Sequence, residues 1–154
     1  MAKDRIDRDE EDLVRLYLTD IGQYARVDNA QYRLLKLATP GAYTFVLEGT
    51  KELPRRILHP KRKTLGLRIP DNRIMLGVLE VLGEPLLTTT LMLPGDDEPL
   101  SDGWSIKERL QPQLDLVVEG GWCGTEPTTV IDLCEMPPTV LRRGHGPLAP
   151  LGLQ

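Results

Sequence analysis

One stretch of the sequence concentrates positive charge in a way that suits phosphate binding. Residues 51–73 hold eight lysines and arginines against two acidic residues, a net charge of +6 in a chain whose formal net charge is −4. Lysines neutralise phosphates, and an arginine can hold one through two hydrogen bonds. By its charge alone, however, the stretch is better explained as a solvated charged loop beside a strand, with phosphate binding as the alternative.

Small hydroxyl residues and lone arginines occur near the ends of predicted strands. In an open α/β sheet, strand ends expose side chains and backbone N–H groups into a crevice where ligands bind. Taken singly, each has a structural explanation, because threonine favours strands and an arginine opposite an apolar face usually points to water. The residues concerned are Thr88, Thr89, Thr90, Thr128, Thr129, Arg68 and Arg142.

Four helices are predicted from apolar spacing and capping signals. The first covers residues 9–24 behind an acidic first turn, and the second covers NAQYRLLKLA with Asn29 as its N-cap. A third runs through IMLGVLEVLG after Asp71 or Asn72, and a fourth through WSIKERL. These helices are expected to pack on a sheet and to position the strand ends.

Six strands are predicted from alternation and β-propensity. They are YTFVLEG, TLGLRIP, PLLTTTLM, LDLVVEGG, PTTVIDL and TVLRR. The run PLLTTTLM is apolar at its start, which predicts a central strand. Strands and helices alternate without a strict βαβ rhythm, so the expected fold class is α/β (α+β), with a twisted mixed β-sheet and packed helices.

Length and composition restrict the class of protein. The 154 residues, 40% of them hydrophobic, fit one globular domain. No apolar run approaches the roughly 18 residues needed to cross a bilayer, and the first residues show no secretion signal, so we expect a cytoplasmic protein that does not bind membranes. Cys123 and Cys134 lack a CxxC spacing or a nearby pair of histidines, so no metal site is predicted. Both thiols are expected to be free and half-buried.

Five motifs, in order, give the sequence a specific resemblance. They are TPGAYTFVL, KRKTLGLRIPDN, GEPLLTTTLMLPG, PTTVIDL and VLRRGHG. Together they resemble the YrdC/YciO family, and the YciO branch in particular. The resemblance runs from about Tyr24 to the C-terminus, so we assign residues 24–154 to a partial YrdC/YciO-like domain. Residues 1–23 are a helical extension of uncertain origin.

The resemblance implies a fold and a function. Family members have a twisted mixed sheet and a positively charged concave surface proposed to hold RNA and nucleotide. The YrdC-type enzymes combine ATP, threonine and bicarbonate into threonylcarbamoyl-AMP, which modifies the adenosine beside the anticodon of certain tRNAs. The implied partner is RNA, either tRNA or double-stranded RNA, and the implied cofactor is ATP or an AMP-type nucleotide. With this resemblance, the basic stretch is expected to be part of the RNA-facing surface rather than a solvated loop. The RNA-binding residues it implies are Lys61, Arg62, Lys63, Arg55 and Arg56.

Ligand-binding residues follow from the same resemblance. The arginine of the family's Arg-x-Pro element matches Arg68, and the position four before it, near the nucleotide, matches Thr64. A Ser-x-Ser-Ala-Asn strand end matches residues 88–92, where Met92 replaces an asparagine that helps to hold ATP. A thioether cannot supply the two donors of an amide, which puts adenylate chemistry in doubt. The ligand-binding residues implied by resemblance are Thr64, Arg68, Thr88, Thr90, Thr128 and Arg142, and catalytic residues are not assigned.

Two further motifs of the family are not found in this sequence. They are a Pro-Thr-(Asp/Glu)-Thr-x-(Tyr/Phe)-Gly strand end and a Lys-Arg-x-x-x-Lys-Pro loop, both near the family's N-terminus. An N-terminally truncated domain is therefore expected, with an exposed sheet edge that a homodimer could cover. Three hypotheses remain: a YciO-like RNA- and nucleotide-binding domain without full catalytic activity, a threonylcarbamoyl-AMP synthase acting weakly or with a partner, and a non-functional fragment.

Overall fold

The computed structural model describes residues 17, 18, 20–54 and 57–154. Its secondary structure elements lie in two compact units, the first made of Met1–Leu76 with Pro127–Gln154 and the second of Gly77–Glu126. The helices are α1 (Asn29–Ala38), α2 (Arg73–Leu82) and α3 (Gly103–Leu110), with 3₁₀ turns at Gln111–Gln113 and Ala149–Leu151. The strands are β1 (Tyr43–Glu48), β2 (Thr64–Leu67), β3 (Thr129–Asp132) and β4 (Thr139–Arg142). Residues 17, 18 and 20–24 are also helical.

The first unit contains a mixed four-stranded sheet in the order β2-β1-β3-β4. Strand β1 is antiparallel to β2 and parallel to β3, and β4 returns antiparallel to β3. The predicted fold class is therefore confirmed. The edge strands among the described residues are β2 and β4, and a homodimer through such an edge stays a prediction.

One face of this sheet forms the hydrophobic core. Alternate residues of β1 are buried, in the pattern expected for a strand with one covered face. Phe45, Leu47 and Ile131 are fully buried there, and helix α1 adds Leu35. The opposite face, which carries the other residues of each strand, is only partly covered, and we call it the open face.

The helix boundaries follow capping chemistry. Asp28, rather than the predicted Asn29, caps α1: its carboxylate accepts hydrogen bonds from the N–H groups of Ala30 and Gln31, and the Gln31 side chain returns a bond to the N–H of Asp28. Asn72 accepts a hydrogen bond from the Met75 N–H at the start of α2, as expected. The helix predicted over residues 9–24 is confirmed only at 17, 18 and 20–24, and its remainder lies outside the described residues.

Two predicted strands are wrong. Residues 86–91, in PLLTTTLM, and residues 114–120, in LDLVVEGG, have no strand pairing and are mostly exposed. Both belong to the second unit, in which Leu110 is the one buried residue. β-Propensity alone does not form a strand, because a strand also needs a partner for its backbone groups and a covered face.

One of the two thiols differs from the expectation. Cys123 is exposed, whereas Cys134 is half-buried as predicted, and both are free. None of the described helices combines the length and apolarity that crossing a membrane requires.

Candidate functional site

Thr128 and Arg142, two of the predicted ligand-binding residues, are in direct contact. The Arg142 guanidinium donates from Nε and Nη2 to the Thr128 carbonyl oxygen, at 3.2 and 2.9 Å. The Thr128 hydroxyl in turn lies 2.7 Å from the hydroxyl of Thr44. Nη1 of Arg142 makes no hydrogen bond within the described part of the chain. The guanidinium is thus held in place by Thr128 through Nε and Nη2.

The neighbouring threonine has a different role. Thr129 is fully buried, and its hydroxyl donates to the Gly146 carbonyl and accepts from the Gly144 N–H. A Cβ on Gly144 would collide with the backbone of Pro127 and Thr128. Glycine at this position therefore lets the chain after β4 lie against the start of β3, and this packing fixes the position of Arg142.

Strand register brings further predicted residues onto the open face. Thr44, Val130 and Arg142 are matched across β1, β3 and β4, so their side chains share one side of the sheet. Thr64 pairs with Glu48 on the same face. Arg68 directly follows β2 and is exposed, whereas the next residue, Ile69, is buried, which places Arg68 on the open side by alternation.

The predicted RNA-binding residues Lys61, Arg62 and Lys63 lie in a turn just before β2. The Nδ1 atom of His59 accepts hydrogen bonds from the N–H groups of Lys61 and Arg62, at 3.3 and 3.1 Å. Lys63 adopts a positive φ of 60°, and its ammonium donates to the Pro60 carbonyl. The turn is therefore ordered by its own hydrogen bonds, and the exposed side chains of Lys61 and Arg62 extend from it.

Arg55 and Arg56 lie outside the described residues. The other predicted ligand-binding residues, Thr88 and Thr90, belong to the second unit, where they are exposed and lie on no strand. Met92, at the position of the family's asparagine, is also exposed. The expectation that these threonines end a central strand is wrong, because residues 86–91 have no strand partner in the described chain.

A shallow cavity of about 330 Å³ lies in the first unit, and its charge argues against phosphate binding. Its lining carries two carboxylates against one guanidinium. Burial, together with Asp132 and Glu48, raises the pKa of the Cys134 thiol to about 12, although the nearby Arg62 opposes this rise. Such a thiol is protonated at neutral pH and is a poor nucleophile. The lining residues are Arg26, Val27, Asp28, Gln31, Glu48 and Cys134.

Sequence reasoning missed one residue of the open face, Thr44. The signal was available, because in YTFVLE the threonine alternates with the buried Tyr43 and Phe45 and so falls on the same face as the strand-end hydroxyls. No group of three or more His, Cys, Asp or Glu side chains within the described ranges is arranged to hold a metal ion.

Comparison with known proteins agrees with this fold. The profile of the Sua5/YciO/YrdC family, described as "Telomere recombination", matches residues 12–144. The chain therefore belongs to the Sua5/YciO/YrdC family, as its motifs predicted. This family includes threonylcarbamoyl-AMP synthases.

Among its relatives is YciO of Escherichia coli, which is 53% identical over 133 residues, covering 86% of this chain and 65% of YciO. The crystal structure of Escherichia coli YciO superposes with a TM-score of 0.80 over the same shares of the two chains. The chain thus spans 65% of the length of this relative.

Similarity to the enzymes is more distant. Mouse threonylcarbamoyl-AMP synthase is 33% identical over 125 residues, covering 75% of this chain and 42% of the mouse protein. The structure of Pyrococcus abyssi Sua5 complexed with L-threonine matches with a TM-score of 0.77 at 26% identity, over 86% of this chain and 39% of Sua5.

Proposed function

We propose that this chain is a YciO-type RNA- and nucleotide-binding domain related to tRNA threonylcarbamoyladenosine biosynthesis, without full catalytic activity. The observation that carries the proposal is the ordered turn before β2, from which the exposed cations Lys61 and Arg62 extend. An ordered loop loses less conformational entropy when it binds, so its charges contact phosphates at lower cost than those of a flexible tail.

The nucleotide-binding part of the proposal concerns the open face of the sheet. Thr64, Arg68, Thr128 and Arg142 all belong to the first unit, and the last two are hydrogen-bonded to each other. Hydroxyl groups and a fixed guanidinium suit the phosphate and ribose of ATP or an AMP-type nucleotide. Thr88 and Thr90 enter the proposal through family resemblance alone.

A salt titration of RNA binding tests the role of the turn. Filter binding to a structured tRNA and to an unrelated double-stranded RNA is measured at several salt concentrations. Replacing Lys61, Arg62 and Lys63 with alanine should lower affinity about equally for both RNAs. The slope of log affinity against log salt should flatten by roughly one unit per lost phosphate contact.

A matched control separates a local site from the effect of net charge. The variant Arg33→Ala/Lys36→Ala/Lys107→Ala removes the same three charges from exposed positions on helices α1 and α3. It should keep the wild-type slope. If the two triple variants behave alike, or if the turn variant keeps the wild-type affinity, the turn is only a solvated face and RNA binding there is refuted.

Arg68→Ala tests the nucleotide site separately. We expect it to weaken binding of AMP or ATP, measured by calorimetry, while the salt slope for RNA changes by less than one unit. Arg73→Ala, an exposed arginine at the start of α2, is the control. Equal loss of nucleotide affinity in both variants would argue against a specific role for Arg68.

A second candidate function is threonylcarbamoyl-AMP synthesis, weak or dependent on a partner. It is favoured by the structural match to Sua5 complexed with L-threonine. Met92 argues against it, because a thioether cannot replace the amide donors of the family's asparagine. The test is pyrophosphate release from ATP with threonine and bicarbonate, and we expect none. Turnover comparable to that of a threonylcarbamoyl-AMP synthase would instead establish the enzyme.

A further inference from the structure

His59 is at the centre of the hydrogen bonds that order the turn before β2, whose residues 59–63 we call the basic turn. Its Nδ1 atom accepts from the N–H groups of Lys61 and Arg62, at 3.3 and 3.1 Å. Its backbone carbonyl accepts from the Lys63 N–H at 2.9 Å, and its own N–H donates to the Thr64 carbonyl at 2.8 Å. His59 is thus hydrogen-bonded to each of the residues 61–64.

The backbone of the basic turn needs this support. Lys63 has a φ of 60°, in the left-handed region that residues with a side chain rarely adopt. Such a conformation costs free energy and persists only where the surrounding contacts hold it. Here the Lys63 N–H donates to His59, and the Lys63 carbonyl accepts from the N–H of Gly49, directly after β1. Loss of the contacts made by His59 should therefore let the turn leave this conformation.

The imidazole of His59 can accept its two hydrogen bonds in one protonation state only. An Nδ1 atom that accepts carries no proton, so the ring is the neutral tautomer with its proton on Nε2. In the charged ring both nitrogens are donors, and Nδ1 can no longer accept. Histidine is the side chain that changes its charge between about pH 5 and 8, and His59 is exposed to solvent. Acidification therefore removes both contacts.

The charges around this ring come from two parts of the first unit. The basic turn itself contributes the cations Lys61, Arg62 and Lys63. The end of strand β1, which is joined to the turn by the hydrogen bond between Gly49 and Lys63, contributes Glu48. A proton on the ring adds one positive charge, which by itself attracts RNA, but it also releases three cations from their ordered positions. Since three charges are affected and one is gained, we expect the loss of order to outweigh the gain in charge.

We propose that His59 is a positioning residue: its neutral imidazole holds the basic turn in the form that binds RNA, and protonation of Nδ1 releases the turn and weakens binding. This inference rests on the proposed function of the turn, to which it adds a dependence on pH. It differs from the phosphate contacts proposed for Lys61 and Arg62, because His59 acts through the backbone of its neighbours.

Two substitutions separate the hydrogen bonds of His59 from its charge. His59→Ala removes the acceptor, so binding to a structured tRNA should weaken about fivefold or more at pH 8. His59→Asn keeps an acceptor, because its amide oxygen is bonded to Cγ as Nδ1 is, and asparagine commonly accepts from the N–H two residues further on. Since asparagine does not titrate, this variant should bind with the wild-type affinity at pH 8 and keep that affinity at pH 5.5.

The first measurement is filter binding at pH 8 and pH 5.5, at constant ionic strength. Wild-type affinity should fall about fivefold or more at the lower pH, to the level of His59→Ala. His59→Asn should show no such fall, which also excludes titration of the RNA as the cause. His145→Asn replaces the other histidine, exposed after β4, and should retain the wild-type pH dependence.

The second measurement observes the basic turn without RNA. Nuclear magnetic resonance of the ring nitrogens should show an unprotonated Nδ1 in His59 at pH 8. As the pH falls, the amide resonances of Lys61 and Arg62 should shift together with the titration of the ring. In His59→Asn the same two resonances should stay in place.

Three results would overturn the proposal. They are wild-type affinity in His59→Ala, tighter wild-type binding at pH 5.5 that His59→Asn does not show, and amide resonances at residues 61 and 62 that do not follow the ring. The triple alanine variant of residues 61–63 is measured alongside at pH 8. If it loses affinity and His59→Ala does not, only the role of His59 is refuted. If the triple variant binds like the wild type, the proposed function of the turn is refuted as well.

Discussion

The two units of the molecule differ in charge and in what they bury. The first unit has 17 basic and 13 acidic residues, a net charge of +4, and contains the whole hydrophobic core cluster. The second carries −8 and buries only Leu110. The two units of one chain thus carry net charges of opposite sign, and the residues buried in the hydrophobic core cluster all belong to the basic one.

The largest expected contrast between the units is in stability. Phe45→Ala removes a fully buried ring from the first unit and should lower the unfolding free energy by about 3–5 kcal/mol. Leu116→Ala removes an exposed side chain from the second unit and should change it by no more than about 0.5 kcal/mol. Urea unfolding followed by circular dichroism measures both. Similar losses would show that the second unit has a core of its own.

Alanine substitutions at two glycines should change the unfolding free energy by smaller amounts and in opposite directions. In Gly144→Ala the new methyl group meets the backbone of Pro127, so we expect a loss of about 1–3 kcal/mol. In Gly77→Ala nothing lies within 4 Å of the new group, and the helix should gain about 0.5–1 kcal/mol. The same unfolding experiment applies. A neutral Gly144→Ala would contradict the close approach that positions Arg142.

The two cysteines should differ in reactivity. Iodoacetamide at pH 8 should alkylate exposed Cys123 more than tenfold faster than Cys134, whose pKa is raised to about 12 mainly by burial. Peptide mass spectrometry over time gives both rates. Equal alkylation rates would contradict the burial of Cys134, because they would mean that the reagent reaches both thiols equally well.

The same thiol predicts a pH dependence of stability. Because the folded pKa of Cys134 lies above the ordinary value of 9.0, its contribution to stability is complete below pH 9 and is lost as pH rises toward 12. Burial also raises the pKa of Tyr43, which adds to the trend. Cys134→Ala should reduce this loss, whereas Cys123→Ala should not. Identical pH profiles for the two variants would refute the effect.

The smallest expected effect concerns surface ion pairs. In the second unit Arg109 donates two hydrogen bonds to the Asp96 carboxylate, at 2.9 and 3.0 Å, and this interaction raises the pKa of Arg109. In the first unit Arg26 and Glu48 are 3.9 Å apart and largely exposed. Asp96→Asn should lower the stability slightly, and less at high salt, whereas Glu48→Gln should leave it almost unchanged. A larger cost for Glu48→Gln would reverse this ranking.

Much of the first unit was predictable because its signals are local. Strand β1 was predicted from the β-branched and aromatic residues of YTFVLE, and β2 from the alternation of apolar residues in TLGL before Arg68. Helix α1 was predicted at its observed length, with an error of one residue at its cap. Thr128 and Arg142 were predicted to line the same crevice, but their direct contact was not predicted. That contact depends on the register between β3 and β4, which is shifted by a bulge between Val130 and Ile131.

The second unit shows where local signals fail. Residues 86–91 have strong β-propensity, yet they are irregular and exposed, since no neighbouring strand pairs with them in the described chain. Apolar composition predicted that they would be central in the sheet. β-Propensity shows that a segment is able to form a strand, but the strand forms only where a neighbouring strand pairs with its backbone groups.

The sequence by itself determined the family, the four observed strands, the capped helices and the concentration of charge in residues 51–73. These depend on residue types at fixed spacing along the chain. The tertiary structure alone decided that Thr44 and Thr128 share a hydrogen bond, that Thr129 is buried beside Gly144, and that residues 86–91 pair with no strand among the residues the structure describes. Such contacts join residues far apart in sequence, and their geometry depends on strand register and close packing, which no local pattern specifies.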